Sequence, residues 1–310
     1  MIQHTEGLIA APFTPMDADG GVALGAIERQ AEMLARSGVI GAFVCGTTGE
    51  GASLSTAERM DVARRWIDAA PKNVSPSQSP TRICWSTIGG RCSIETRPLS
   101  PVLGCGPVPR RPYFFRPRRV EDLVACCREV AAAAPALPFY YYHMPSMSGV
   151  AFAMADFLEA AAGLIPTLVG LKFTYENLMD FGLCLRMAGG RFDVLFGRDE
   201  ILLSALALGA RGAVGTTYNF AAPLYLRIIE AFKAGDMKTA ADLQMRAAEM
   251  IRILARAGGG SAIPSGKAVM KMIGIDCGPV RLPIVGLRPE ECERLRTDLE
   301  RIGFFEYCCK

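Results

Sequence analysis

Short apolar runs that alternate with amphipathic helical patterns constrain the fold of this chain more than any other feature. The runs occupy residues 7–12, 40–44, 138–142, 167–173, 193–196 and 212–216, and most are followed by a stretch with helical periodicity. The gap between the second and third runs is almost three repeats long, so we expect two further strands there. Eight strands with following helices predict an α/β fold, the (β/α)8 or TIM barrel.

Helical patterns continue beyond the eighth run, at residues 224–234, 237–257, 265–273 and 289–302. These helices exceed what barrel closure requires. We therefore expect a barrel at residues 1–235, which carries any catalytic site, and a C-terminal helical extension at residues 236–310.

A glycine-rich stretch at residues 258–267 has the composition of a phosphate-binding loop. Ser261 stands where that motif needs glycine, Ala268 stands where it needs a hydroxyl, and no strand precedes the stretch. We interpret it as a linker into a helix.

Residues 75–111, where the two missing strands belong, differ in composition from the rest of the chain. They contain six Pro, six Ser and three Cys, but no Ala, Asp, Lys, Asn, Phe, Tyr or Met. We expect this segment to disturb the third and fourth strands and the third helix. A long loop is one explanation, but we prefer a stretch read in a shifted frame. Resequencing should then find compensating insertions or deletions at both borders.

Composition limits the chemistry that the chain can perform. The two histidines, His4 and His143, are too few for most metal sites or a Ser/His/Asp triad. The 11 cysteines lack paired metal-binding spacing, so we expect neither a metal nor a disulfide framework. The net charge of +3 comes from residues 75–111, which hold five arginines and one acid. The remainder of the chain is nearly neutral and does not support a nucleic-acid-binding surface. No segment resembles a membrane span or a signal peptide, and we expect a soluble cytoplasmic protein.

Lys172 stands near the end of the apolar run at residues 167–173. Side chains alternate between the two faces of a strand, so Leu168, Gly170 and Lys172 are expected to share one face and to lie inside the fold. Burial favours the neutral amine, which is the form that attacks a carbonyl carbon to make a Schiff base. The alternative is a lysine whose head group reaches solvent at the strand end.

Two other strand ends carry polar groups that belong at the same end of a barrel. Residues 46–51 (GTTGEG) follow the second run, and the hydroxyls and N–H groups of such a turn can hold a carboxylate. Tyr142 ends a series of three tyrosines at a position suited to passing a proton. An ordinary glycine-rich turn and core packing of the tyrosines are the alternatives.

GTTGEG, a strand-end Y-x-x-P and a strand-end G-L-K, in this order and at these intervals, resemble the pyruvate-dependent class I aldolase family, which includes N-acetylneuraminate lyase and dihydrodipicolinate synthase. The resemblance covers residues 7–74 and 112–303 and fails in the segment of unusual composition. It implies a homotetramer that needs no metal and no organic cofactor.

The resemblance also implies roles for individual residues. Lys172 would form the Schiff base with pyruvate, and Tyr142 would relay the proton. Thr47 and Thr48 would hold the pyruvate carboxylate.

The sequences YYYHMPSMSGV, GLKFTYENLMDFG, LFGRDE and GAVGTTYNF resemble the N-acetylneuraminate lyase branch of that family. Met147 stands where dihydrodipicolinate synthases usually have an arginine, and Phe114 stands where they have a tyrosine donated across a subunit interface. The branch implies that the sugar chain is held by Thr174, Gly197, Asp199, Glu200 and Thr216. For Asp199 and Glu200, a helix cap and a first-turn acid are an alternative that does not exclude sugar binding.

The implied reaction is the reversible cleavage of N-acetylneuraminate to N-acetylmannosamine and pyruvate, so a sialic acid and pyruvate are the expected small-molecule partners. Two alternatives stay open. One is another pyruvate-type lyase or dehydratase of sugar acids, or a dihydrodipicolinate synthase-like enzyme. The other is a catalytically inactive ligand-binding homologue whose barrel is opened by residues 75–111.

Overall fold

The computed structural model describes residues 4–69 and 116–310, together with the backbone of residues 82–86 and 102–105. Its strands are β1 (Gly7–Ala10), β2 (Gly41–Val44), β3 (Arg82–Ser86), β4 (Val102–Cys105), β5 (Phe139–His143), β6 (Leu168–Phe173), β7 (Asp193–Phe196) and β8 (Gly212–Gly215). They close into a parallel barrel in chain order, with β1 paired to both β2 and β8. The predicted eight-stranded TIM barrel is confirmed, including the two strands expected between the second and third runs.

The described helices surround the barrel and continue beyond it. They are α1 (Ala26–Arg36), α2 (Thr56–Asp68), α3 (Val120–Ala132), α4 (Pro145–Ser148), α5 (Met154–Ala161), α6 (Leu178–Arg186), α7 (Leu202–Leu208), α8 (Tyr218–Lys233), α9 (Met237–Ala257), α10 (Ala262–Met272), α11 (Pro289–Arg301) and α12 (Phe304–Tyr307). The linker interpretation of residues 258–267 is correct only for residues 258–261. Helix α10 already begins at Ala262, and the Ser261 hydroxyl caps its first turn.

Helix α8 begins earlier than the predicted start at residue 224. The backbone is interrupted at Ala221, with φ −132° and ψ 20°, just before Pro223. A proline fits the first turn of a helix but not its interior, so Pro223 restarts the helix after this kink. The sequence pattern detected only the part after the proline.

Within the segment of unusual composition, the structure describes only the backbone of β3 and β4. Both strands pair in parallel with their neighbours. The helix expected between them, and the shifted reading frame, lie outside the described residues and stay predictions.

Two apolar layers hold the described part of the barrel together. The inner layer fills the barrel with side chains that include Phe43, Tyr140, Tyr142 and Leu195. The outer layer packs the opposite faces of the strands against the helices. A strand of a closed barrel is buried on both faces, which explains why its runs are continuously apolar.

The predicted facing of β6 is correct for its second half and wrong for its first. Lys172 points into the barrel, while Leu171 and Phe173 pack in the outer layer. Leu168 also packs in the outer layer, and Val169 packs against the inner one. The register with β5 shifts at this point, and such a bulge moves the side chains on one side of it to the other face.

The cysteines in the described part of the chain are free. Burial raises the pKa of the Cys45 and Cys277 thiols to about 12, so both stay protonated at neutral pH. None of the described helices combines the length and the apolar character needed to cross a lipid bilayer.

Candidate active site

Lys172 lies at the carboxyl end of β6, next to Tyr142 in the register of β5. It is 5% exposed, and its Nζ atom lies 4.0 Å from the ring centroid of Phe43 and 4.1 Å from that of Tyr142. The two rings pack edge to face with their centroids 5.3 Å apart, so they exclude water from one flank of the amine and stabilise its charge when it is protonated. The alternative of a solvent-exposed lysine is therefore wrong.

Tyr142 and Thr47 meet at the same sulfur atom. The Tyr142 hydroxyl donates to Met144 Sδ at 2.9 Å, and the Thr47 hydroxyl lies 3.7 Å from that sulfur. Tyr142 is 4% exposed. The thioether of half-buried Met144 thus connects the end of β5 to the GTTGEG turn, on the side of the barrel where Lys172 lies.

Thr48 faces a second threonine across the barrel mouth. Its Oγ1 atom lies 2.6 Å from Oγ1 of Thr216, which follows β8. Hydroxyls can both donate and accept, so this pair can turn toward an anionic ligand without losing all of its hydrogen bonds.

Asp199 is buried between β7 and β8. Its Oδ2 atom accepts from the Thr217 N–H at 2.9 Å and from the Thr217 hydroxyl at 2.6 Å, while its buried Oδ1 atom has no hydrogen-bond partner. Burial first, and the neighbouring charge of Glu200 second, raise the pKa of Asp199 to about 6, although Thr217 and Lys172 oppose the shift. A ligand hydroxyl is the kind of donor that Oδ1 can accept from.

The cap predicted as an alternative for Asp199 is not what the structure contains. Residue Asp199 lies inside a 3-10 turn whose N-cap is Arg198, and Ile201 precedes α7. The Asp199 carboxylate instead binds Thr217, the residue before α8. Glu200 lies at the rim, 3.7 Å from Arg198, which also pairs with Glu176.

Two glycines leave room for these polar groups. A Cβ atom at Gly197 would lie 2.0 Å from the Thr174 hydroxyl, and one at Gly215 would lie 2.0 Å from Asp199 Oδ1. The Thr174 hydroxyl is buried and has no hydrogen-bond partner. Unpartnered buried polar atoms are unfavourable, so Thr174 and Asp199 present two groups that a polar ligand would satisfy.

The structure brings the predicted site residues to one end of the barrel, at the carboxyl ends of β2, β5, β6, β7 and β8. Sequence reasoning missed Phe43, Met144 and Gly215. Phe43 lies in an apolar run whose alternation could have placed it beside an inward lysine. No sequence signal distinguishes Met144 or Gly215 from neighbouring apolar residues.

A cleft of about 900 Å³ opens at the other end of the barrel, between the amino ends of β5, β6 and β7. His4 and Arg191 are among its lining residues. The described residues that line this cleft do not bring an amine, a phenol and a hydroxyl together. We therefore assign the candidate active site to the end of the barrel where Lys172 lies. Within the described residues, no group of three or more His, Cys, Asp or Glu side chains could hold a metal ion.

Comparison with known proteins matches most of this chain to one family. A model of the dihydrodipicolinate synthetase family matches residues 4–75 and 104–302, and the break falls within the segment of unusual composition. N-acetylneuraminate lyase from Mus musculus is 38% identical over 302 residues, which cover 96% of this chain and 92% of that protein. The enzyme of the same name from Homo sapiens is 36% identical over 306 residues, with 97% and 94% covered.

Solved structures extend the likeness to three dimensions. N-acetylneuraminate lyase from Proteus mirabilis is 39% identical, with a TM-score of 0.85 and coverage of 97% of this chain and 100% of that one. A dihydrodipicolinate synthase from Cyanidioschyzon merolae is 25% identical, with a TM-score of 0.80 and coverage of 97% and 100%. These matches, together with the barrel and the strand-end lysine, show that the chain belongs to the dihydrodipicolinate synthetase family.

Proposed function

We propose that this protein is a carbon–carbon lyase that cleaves N-acetylneuraminate reversibly to N-acetylmannosamine and pyruvate through a Schiff base on Lys172. The observation that carries the proposal is the enclosed amine, 4.0 Å and 4.1 Å from two aromatic ring centroids at the carboxyl end of a barrel strand. Relatives 36–39% identical over nearly the whole chain bear the name of that lyase.

The first step joins the substrate to the enzyme. Neutral Lys172 attacks the C2 ketone of the open-chain sugar acid, and loss of one water leaves an imine. The hydroxyls of Thr47 and Thr48 hold the C1 carboxylate beside it. In the free protein Met144 contacts both Thr47 and Tyr142, so the incoming carboxylate displaces the thioether from between them.

The second step breaks the carbon–carbon bond. The phenol of Tyr142 relays the proton from the C4 hydroxyl, the C3–C4 electrons move into the protonated imine, and N-acetylmannosamine leaves as an aldehyde. The resulting enamine takes a proton at C3. Hydrolysis then consumes one water and releases pyruvate and free Lys172.

The remaining predicted residues hold the sugar chain. Oδ1 of Asp199 and the Thr174 hydroxyl are buried without hydrogen-bond partners and supply an acceptor and a donor. Thr216 adds a third hydroxyl, Glu200 an acceptor at the rim, and Gly197 the space beside Thr174. A pocket with several fixed polar groups suits a polyhydroxylated substrate.

No metal and no organic cofactor take part in this reaction, because the lysine itself supplies the electron sink. A homotetramer and a cytoplasmic location stay predictions from the family resemblance and from the sequence. Light scattering on the purified protein measures the first, and fractionation of the source cells the second.

Imine trapping tests the proposal directly. Pyruvate with borohydride should leave a reduced adduct on the peptide that contains Lys172, and the protein should release pyruvate from N-acetylneuraminate. Lys172→Met should abolish both, whereas Lys238→Met, at a lysine whose side chain is 88% exposed, should change neither. Tyr142→Phe should slow turnover more than it reduces adduct formation.

An adduct on a different lysine would refute the assignment. An adduct on Lys172 without cleavage of N-acetylneuraminate would favour one of the other sugar-acid enzymes, which a panel of 2-keto acids identifies. A folded protein with no adduct at all would favour a ligand-binding homologue.

A further inference from the structure

A buried ion pair connects the GTTGEG turn to the C-terminal extension. Glu50 belongs to that turn, and Lys267 lies in α10. Glu50 Oε1 and Lys267 Nζ are 2.7 Å apart, with the side chains 0% and 4% exposed respectively. Lys267 also donates to the carbonyl of Pro279 at 2.6 Å. The described chain thus buries two opposite charges directly behind the turn that carries Thr47 and Thr48.

Arg281, also in the extension, continues this connection. Its backbone N–H donates to the other Glu50 oxygen at 2.8 Å. Its guanidinium donates to the carbonyls of Gly20 at 2.8 Å and Ser53 at 2.9 Å, and it pairs with both carboxylate oxygens of Glu58 at 2.5 and 3.1 Å. The extension therefore holds the turn at Glu50, the residues that follow the turn, and the separate loop that contains Gly20.

The turn needs such support because its backbone is strained. Glu50 has φ 53° and Cys45 has φ 53°, in the left-handed region that residues with a side chain rarely adopt. A Cβ atom at Gly51 would lie 1.9 Å from the Cys45 carbonyl oxygen, so the two ends of the turn are in close contact. Backbone hydrogen bonds within the turn, such as that from the Glu50 N–H to the Thr47 carbonyl at 3.0 Å, hold this conformation together with the contacts from the extension.

We infer that Glu50 and Lys267 are positioning residues for the reaction: their ion pair fixes the GTTGEG turn in the conformation in which Thr47 and Thr48 receive the carboxylate of a 2-keto acid. The inference rests on the proposed function. Neither residue touches the reacting atoms, and both act through the turn. A buried ion pair contributes little net stability compared with apolar or neutral groups of the same shape, so stability alone does not account for this one.

Three variants separate positioning from stability. Glu50→Gln and Lys267→Met each leave one buried charge unpaired, and the double variant leaves none. The control is Lys271→Met, in the same helix, because Lys271 pairs with Asp276 at 2.8 Å while 71% exposed. The measurements are the melting temperature, the pyruvate concentration that gives half-maximal trapped adduct, and kcat and KM for cleavage.

Both single variants should melt at lower temperature, and the double variant should recover most of that loss. All three should nevertheless need about tenfold more pyruvate for half-maximal trapping, with a matching rise in KM and a smaller change in kcat, because the carboxylate is held less well. Lys271→Met should match the wild type. Glu50→Gln changes shape least and decides the test if a Lys267→Met protein does not fold.

Hydrogen exchange at residues 46–51 of the ligand-free protein provides a readout that does not require an imine. Exchange there should be faster in the double variant than in the wild type and in Lys271→Met. If the wild type formed no adduct, the proposed function would fail. The exchange data would still show whether the ion pair fixes the conformation of the turn. A double variant with wild-type exchange and wild-type pyruvate half-saturation would overturn the inference.

Discussion

Individual polar side chains in the site are buried and have atoms without a hydrogen-bond partner. The Asp199 carboxylate binds Thr217 with one oxygen, and its other oxygen is buried without a hydrogen-bond partner. Without a ligand the charged carboxylate is therefore poorly solvated, and a bound hydroxyl group would improve its solvation. Ligand binding and ionisation of Asp199 should favour each other.

Asp199→Asn should make the protein more stable at neutral pH and less active. The folded protein keeps the Asp199 proton up to about pH 6, whereas the usual value is 3.8, so wild-type stability falls as pH rises through this window. The amide oxygen can still accept from Thr217, and we expect a gain of about 1–2 kcal/mol above that window. Urea unfolding at pH about 7.5 and at pH about 4 measures it.

The gain should be much smaller at the lower pH, where the folded wild-type residue is protonated and the unfolded one is about half protonated. Cleavage of the sugar acid should fall while adduct formation with pyruvate remains. Equal stability gains at both pH values would contradict the assigned ionisation.

Protonation of His143 should lower the stability of the folded protein in acid. It is fully buried beside Phe173 and Tyr175, and burial lowers its pKa to about 4 from the usual 6.5. The unfolded chain takes up this proton first, so the stability present above pH 6.5 is lost as the pH falls through 4. His143→Phe should remove that component and retain more stability by about 1–3 kcal/mol at pH about 4.5.

Thermal unfolding of wild type and His143→Phe from neutral to acid pH checks this expectation. A parallel decline of His143→Phe and wild type would show that other groups control acid unfolding.

At the scale of elements, different barrel strands supply different functional groups of the site. The carboxyl ends of β5 and β6 place Tyr142 beside Lys172, while Asp199 follows β7 and Thr216 follows β8, where Thr216 contacts Thr48. The glycine that ends β8 has a specific role here. A Cβ atom at Gly215 would lie 2.0 Å from Asp199 Oδ1, so any larger residue pushes that carboxylate out of place.

Gly215→Ala should therefore reduce cleavage of the sugar acid by about tenfold or more, because small displacements of substrate-positioning groups are costly. Adduct formation with pyruvate should be nearly unchanged, since Lys172 lies on a different strand. Gly163→Ala is the matched control, because nothing lies within 4 Å of the added Cβ atom. Equal loss of both activities in Gly215→Ala would indicate a distorted barrel rather than a displaced Asp199.

At the scale of the whole molecule, the barrel and the C-terminal extension share one core. Gly266 of α10 packs so closely on Phe13 that a Cβ atom would lie 2.3 Å from its ring. Near the other end of the extension, the ring centroids of Phe304 and Phe220 are 6.2 Å apart, and the Cys309 N–H donates to the Phe220 carbonyl at 2.8 Å. The division at residue 235 is one of sequence pattern and stays a prediction as a domain boundary.

The full chain should consequently unfold in a single calorimetric transition. A fragment of residues 1–235 should not fold, because it would expose the apolar surface around Phe13 and Phe220 and would leave the Glu50 carboxylate without its ion-pair partner Lys267. Calorimetry of the full chain and circular dichroism of the fragment measure this. Two separate transitions, or a folded fragment that binds pyruvate, would contradict it.

Patterns that repeat along the chain predicted the architecture. Alternating apolar runs and helices are set by local backbone geometry, so strand number, the helices beyond the barrel and the inward lysine could be derived without coordinates. The bulge in β6 escaped this reasoning because it depends on the register with β5. The first turn of α8 escaped it because Pro223 interrupts the pattern.

By itself the sequence determined an eight-stranded barrel with a lysine at a strand end, since periodicity and residue order suffice for that conclusion. Only the tertiary structure decided which atoms meet: the Met144 sulfur with Tyr142, Asp199 with Thr217, and Glu50 with Lys267. These pairs come from different elements, or depend on how one strand end turns. Side-chain packing in three dimensions selects them, and no local pattern records it.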